Sequence, residues 1–163
     1  MVGSMKIILI IMYILCSFFK KDISTITIKI DEKILHSKFI GISKDDVLET
    51  QIGKMSGYGS DCYGCSGYLA SGGYVGDGKI YYDDPTYGKI RIVAADSRYK
   101  FGTIVRISNS NLSDEFLAIV LDRGGAIGLD KRCMFDLLYS SEEEANIDGI
   151  SDDVVFEILR YGY

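Results

Sequence analysis

The chain has 163 residues and a net charge of −5, from 18 basic and 23 acidic side chains. That balance, with no lysine–arginine cluster in the body of the chain, argues against a nucleic-acid partner, which needs a basic face. Abundant isoleucine, valine and tyrosine, 18 glycines and a single proline favour a β-rich fold with glycine turns over a helical bundle.

Residues 1–21 read as a signal peptide or membrane anchor. Lys6 precedes thirteen uncharged, mostly apolar residues, Ile7 to Phe19, and Lys20-Lys21 follows. As a helix such a run reaches about 20 Å against roughly 30 Å of hydrocarbon, which fits a signal-peptide core better than a comfortable span. No A-x-A cleavage site follows, so a cleaved signal and an uncleaved anchor both stand. Cys16 would suit lipidation, but Leu15 occupies the position where a small residue is expected. Each of these alternatives implies export.

Residues 22–53 form a spacer. Ile26, Ile28 and Ile30 alternate with polar residues and predict a short strand. Residues 45–49 read as helical or irregular, and His36, the only histidine, carries no recognisable chemistry.

The body, residues 54–163, opens with a strand and then a Gly-, Tyr- and Ser-rich stretch of long loops up to Gly78. Within it Cys62 and Cys65 make a C-x-x-C pair. A zinc site needs a second such pair or histidines, so the pair reads as a short disulfide pinning the loop, with two free thiols as the alternative. Five short apolar runs follow: 89–94, 103–107, 116–121, 134–139 and 154–159. Their length and spacing predict a small closed barrel. Ser141-Glu142-Glu143-Glu144 has the form of a capping box and predicts a short helix. Cys133, between Arg132 and Met134, reads as a small buried hydrophobe.

Two carboxylates stand out. Asp136 lies inside Phe135-Asp136-Leu137-Leu138, where strand alternation puts it on a face with Met134 and Leu138, opposite Phe135 and Leu137. An acid among apolar neighbours holds its proton to higher pH and can donate it to a leaving oxygen. The alternative is a rim aspartate bonded to backbone amides and always ionised. Asp122 ends the run 116–121, and Gly124-Gly125 beyond it leaves room for a ligand. It reads as a partner that orients Asp136 or stabilises charge on a bound sugar, or else as a turn aspartate. Asp96 repeats the strand-then-acid form. The three acids are 26 and 14 residues apart and match no loop-type calcium motif, so neither metal nor cofactor is expected. The catalytic motifs H-E-x-x-H, G-x-S-x-G and the P-loop do not occur.

Taken in order, Met55-Ser56-Gly57-Tyr58-Gly59, Asp61-Cys62-Tyr63-Gly64-Cys65-Ser66-Gly67, Val93-Ala94-Ala95-Asp96, Phe101-Gly102-Thr103-Ile104-Val105, Leu121-Asp122-Arg123-Gly124-Gly125-Ala126-Ile127, Phe135-Asp136-Leu137-Leu138 and Glu144-Ala145 resemble the 3D domain, named for three aspartates. The resemblance covers residues 54–163. It implies a mainly β fold: a six-stranded double-psi β-barrel with short helices and a loop-rich N-terminal half. It also implies a lytic transglycosylase of the cell wall, related to stationary-phase and spore enzymes and to membrane-bound lytic transglycosylases. Such an enzyme cuts the β-1,4 bond between N-acetylmuramic acid and N-acetylglucosamine and closes the muramic C6 hydroxyl onto C1.

On this resemblance Asp136 is the general acid/base, with Asp122 and Asp96 completing a catalytic trio. Tyr58, Thr103, Gly124, Gly125 and Ala126 would contact substrate, and the partner is the peptidoglycan glycan strand. The site of action would be the wall or the outer face of the cytoplasmic membrane. The chain departs from the family at Tyr99-Lys100-Phe101, where isoleucine-proline is frequent, at Leu69, where threonine is usual, and at the loop Leu129–Cys133. A non-catalytic, expansin-like glycan-binding barrel and a muramidase-type hydrolase are the rival expectations.

Overall fold

The computed structural model describes Ser43, residues 46–112 and residues 114–163. The chain divides into two compact units, Met1–Ser43 and Lys44–Tyr163, and the second carries the barrel. The signal or anchor at 1–21, Cys16, the strand expected at Ile26–Ile30 and His36 lie outside the described residues.

The strands are β1 (Glu49–Gly59), β2 (Tyr81–Asp84), β3 (Gly88–Ala95), β4 (Ile104–Ser108), β5 (Phe116–Arg123), β6 (Phe135–Tyr139) and β7 (Ser151–Arg160). One short helix, α1 (Glu142–Asp148), precedes β7. Each of the five apolar runs in the body lies mainly within a strand. β1 begins at Glu49, ahead of residue 54, and residues 46–48 before it are irregular.

Strand pairing closes on itself in the order β3–β5–β4–β7–β1–β6 and back to β3, which leaves β2 as a hairpin addition on β3. β3 and β5 run parallel, as do β1 and β6, and the other four joints are antiparallel. The two parallel pairs are related by an approximate two-fold through the β3–β6 and β4–β7 joints. This is the connectivity of a double-psi β-barrel. Closure leaves the six barrel strands without a free edge, which removes the usual site of strand-on-strand aggregation.

Alternating residues fill the barrel: Val93 and Ala95 from β3, Ala118 and Val120 from β5, Phe135 and Leu137 from β6, and Val154, Phe156 and Ile158 from β7. Tyr99, Phe135 and Phe156 stack in series with ring centres 5.0 and 4.7 Å apart. Burying side chains of this size contributes about 1.5–3 kcal/mol each before conformational entropy is charged against it. β2 gave no periodic signal because its Tyr81 and Tyr82 are both partly exposed.

α1 begins as the capping box predicts, with the Ser141 hydroxyl accepting the Glu144 amide at 3.3 Å. The reciprocal bond is replaced: the Glu144 carboxylate takes the hydroxyl of Ser140 instead. Cys62 and Cys65 are joined in the loop after β1, while Cys133 is a buried free thiol.

Candidate active site

Phe135, Leu137 and Tyr139 belong to the barrel core, so β6 turns Asp136 to the outer face. There Asp136 pairs in register with Ser56 of β1 on one side and Ala94 of β3 on the other. Ala94 in turn pairs with Asp122 of β5. Directly paired residues share a face, so both carboxylates stand outside the barrel with an alanine between them. Two strand spacings separate them, roughly 10 Å at the level of the backbone.

This placement depends on a bulge. Val93 pairs with Val120, but Ala94 pairs with Asp122, so Leu121 is an extra residue in β5. Val120 points into the core, and in unbroken alternation a residue two places further on would point inward too. The added residue reverses the alternation and brings the second acid onto the face of the first.

Tyr58 projects from the same outer face of β1, since its pairing with Leu138 follows that of Ser56 with Asp136 by two residues. Its hydroxyl donates to Asp122 Oδ2 at 2.7 Å, linking β1 to β5 past the two strands between them, and the Asp136 charge is near enough to act on it. Ala94, on one of those two strands, is small and buried. The other oxygen of Asp122 accepts two amides, from Ala70 and Arg123, both at 2.8 Å. Burial, and then the Asp122 charge, push the Tyr58 hydroxyl far above its ordinary pKa, which keeps it a donor.

Asp136 is held differently. Burial is the largest influence, and it pushes the carboxyl up to about 6 against a hydrogen bond with Ser56 that lowers it. Glu142 and Asp122 add negative charge nearby and raise it further. Oδ1 of Asp136 is buried without a hydrogen-bond partner. An acid with a free, desolvated oxygen and a pKa near neutrality is suited to giving and retrieving a proton.

Glu142 was not among the residues expected here. It caps the end of β1, accepting the Gly59 amide at 2.8 Å, while its own amide donates to Asp61 at 2.7 Å. A Cβ on Gly59 would come within 1.9 Å of the Glu142 backbone nitrogen, so only glycine permits this approach. The capping box placed Glu142 at a helix start, but its contact with a strand end 83 residues earlier had no signal in the sequence.

Beside this cluster lies a cleft of about 220 Å³ whose walls include Tyr58, Ser60, Ser66, Tyr68, Asp122 and Arg123. Arg123 is fixed by stacking, its guanidinium 3.9 Å from the centre of the Phe101 ring. Tyr58 lines the cleft and Asp136 does not.

The remaining expected residues are more scattered. Asp96 follows β3 and closes a local turn by accepting the Arg98 amide at 2.9 Å, with its other oxygen facing Gly128. Among the described residues no three His, Cys, Asp or Glu side chains gather as a metal centre would require. Gly124, Gly125 and Ala126 form the turn after Arg123, closed by the Ile127 amide on the Gly124 carbonyl at 3.2 Å; none of them walls the cleft. Thr103 is fully buried and its hydroxyl accepts the Gly162 amide at 3.0 Å. The structure thus brings Asp136, Asp122 and Tyr58 together, while the Asp96 charge acts on Arg123 of the cleft wall and Thr103 bonds to Gly162.

No protein-family model matches the chain, and no curated protein matches it. Among solved structures, the chain is similar to the Streptomyces papain inhibitor (SPI), at 16% identity and a TM-score of 0.44. That alignment spans 70% of this chain and 97% of the inhibitor.

Proposed function

We propose that the barrel is a lytic transglycosylase of the 3D-domain type, acting outside the cytoplasmic membrane on peptidoglycan glycan strands. The observation that carries this reading is the contrast between the two carboxylates. Asp136 has an unpartnered oxygen and a pKa near 6, whereas Asp122 has both oxygens engaged, by Tyr58, Ala70 and Arg123. Hydrolases of the two-acid kind need a second carboxylate free to activate water or attack the sugar. Here that second carboxylate is a clamp. One acid suffices if the substrate supplies its own nucleophile.

In this reading a sugar entering from the cleft displaces the Tyr58 phenol and meets Asp136. Protonated Asp136 donates to the glycosidic oxygen as the C1–O bond breaks, leaving positive charge on the muramic ring. The resulting carboxylate accepts the C6 hydroxyl proton as O6 bonds to C1. The proton that left Asp136 is thereby replaced, and the product is a 1,6-anhydro sugar. Asp122, fixed and negative, lies where it can stabilise the developing charge. Export rests on the Lys6–Lys21 segment and remains part of the proposal.

The test is product analysis. The full chain incubated with purified peptidoglycan is expected to release anhydro-muropeptides, and Asp136→Asn is expected to release none. Reducing-end products alone would make the protein a hydrolase. Tight wall binding without any cleavage would make it a glycan-binding barrel.

A further inference from the structure

The loop between β1 and β2 carries two exposed tyrosines that the catalytic reading leaves unused. Tyr68 is 62% exposed and Tyr74 53%, yet they are not loose. Their backbones form an isolated antiparallel bridge, and their rings pack with centroids 4.9 Å apart at 58°. The loop beneath is tied by four amide bonds: Leu69 to Gly73, Gly72 to Leu69, and Val75 and Gly76 both to the Gly67 carbonyl. Leu69 and Val75 are buried and anchor it from below.

The Tyr74 ring rests on a floor of two glycines. A Cβ on Gly67 would lie 3.2 Å from that ring, and a Cβ on Gly76 would lie 2.6 Å from its hydroxyl oxygen. The loop is also fastened to the acid cluster, with the Ala70 amide on Asp122 and the Ser71 amide on the Leu121 carbonyl. Tyr68 walls the cleft together with Asp122, Arg123 and Ser66.

We propose that Tyr68 and Tyr74 form a rigid aromatic ledge that seats one hexosamine ring of a glycan, next to the bond Asp136 acts on. The inference rests on the functional reading above and extends it to a specific subsite. A pyranose ring offers an apolar C–H face and an equatorial fringe of hydroxyl and acetamido groups. The ledge supplies the aromatic surface, and the cleft wall beside it supplies the polar fringe with Ser66, Asp122 and Arg123. Two ordered side chains on a loop already held by its own hydrogen bonds lose little entropy on binding, which is where preorganisation gains affinity. Tyr63, more exposed than either, packs on no other ring and lies outside the cleft wall.

The experiment uses the full chain carrying Asp136→Asn, so that binding is read without turnover, and a soluble tetramer of β-1,4-linked N-acetylglucosamine as the probe in calorimetry. Tyr68→Ala and Tyr74→Ala are each expected to weaken binding roughly tenfold, the effect of losing one aromatic contact, with Tyr68→Phe close to the parent. Gly76→Ala keeps both rings but pushes the Tyr74 hydroxyl aside, and is expected to weaken binding without moving the thermal midpoint. Against peptidoglycan, Tyr68→Ala with Asp136 restored is expected to raise KM and spare kcat. Tetramer binding that is undetectable in the parent, or unchanged in both alanine variants, overturns the ledge. Binding that depends on the tyrosines in a protein that releases no anhydro product retains the ledge and overturns the transglycosylase reaction instead.

Discussion

The outer faces on opposite sides of the barrel treat charge in opposite ways. On the β4–β7 side, Arg106 and Glu157 occupy paired positions and meet at 2.7 Å, and at the barrel end Asp84 binds Arg160. Burial alone would push Asp84 up, but Arg160 and the amides of Thr86 and Tyr87 outweigh it and hold its carboxyl below the ordinary range. On the β1–β6–β3–β5 side, Asp136 is buried with no cation beside it among the described residues, and its carboxyl moves the other way. The same desolvation that Arg160 offsets at Asp84 is left standing at Asp136. One face matches its buried ions, and the other leaves a buried acid among like charges.

Asp136→Asn should break the comparison most severely. It should cost about a thousandfold in anhydro-product formation, within the usual range for losing a general acid. The same change should stabilise the fold. Because Asp136 has a folded pKa near 6 against an unfolded value near 4, the folded state binds more protons between those values, and stability falls as pH rises through that window. Asparagine carries no charge to desolvate, so urea unfolding at pH 7 should show a gain of about 2 kcal/mol. The slope of stability against pH between 4 and 6 should flatten as well. An unchanged midpoint at pH 7 would mean that Asp136 is better solvated than its surroundings indicate.

Arg106→Ala tests the opposite face. It leaves Glu157 without the partner that holds it, and should cost about 2–3 kcal/mol, the lower end for a buried pair because Glu157 keeps some contact with water. Activity per folded molecule should not change. A fall in kcat would show that the two faces are coupled through the barrel.

Smaller again is Tyr58→Phe, which keeps the ring but deprives Asp122 Oδ2 of its bond. The expected loss is about 1 kcal/mol of stability, with a severalfold fall in rate as the clamp loosens. Glu142→Gln should have the mildest effect and the most diagnostic one. The amide can still accept from Gly59, but the negative charge near Asp136 is gone. The groups facing Asp136 are Ser56 and Tyr58 from β1, Asp122 from β5 and Glu142 from α1, so removing one like charge should lower the Asp136 pKa. The fall in kcat/KM with rising pH should then begin at a lower pH, and carboxyl-carbon NMR of Asp136 should show the same downward move. An unmoved profile would reduce Glu142 to a strut for Gly59.

Much of the barrel was legible because its strands are apolar runs of the right length, and Asp136 was legible because a single acid interrupts strict alternation between Phe135 and Leu137. Asp122 was found for a different reason from the one that places it. The glycines after it drew attention, but a bulge at Leu121 sets its direction, and a bulge leaves no periodic trace. Thr103 was expected at the substrate and is buried under the terminus, because a short polar side chain reads the same whether it faces a ligand or a backbone amide. Glu142 and the Tyr68–Tyr74 bridge escaped for a common reason: their positions follow from how loops fold over strands.

The extra residue at Leu121 also makes the direction of Asp122 depend on how β5 pairs with β3, and not on spacing along β5 alone. Removing Leu121 itself would leave Asp122 directly after Val120, still opposite Ala94 and still outward, whereas keeping all three residues in unbroken alternation would turn the carboxylate into the core. A strand without the bulge would therefore align with a one-residue gap between Val120 and Asp122, matching an outward acid to an outward one.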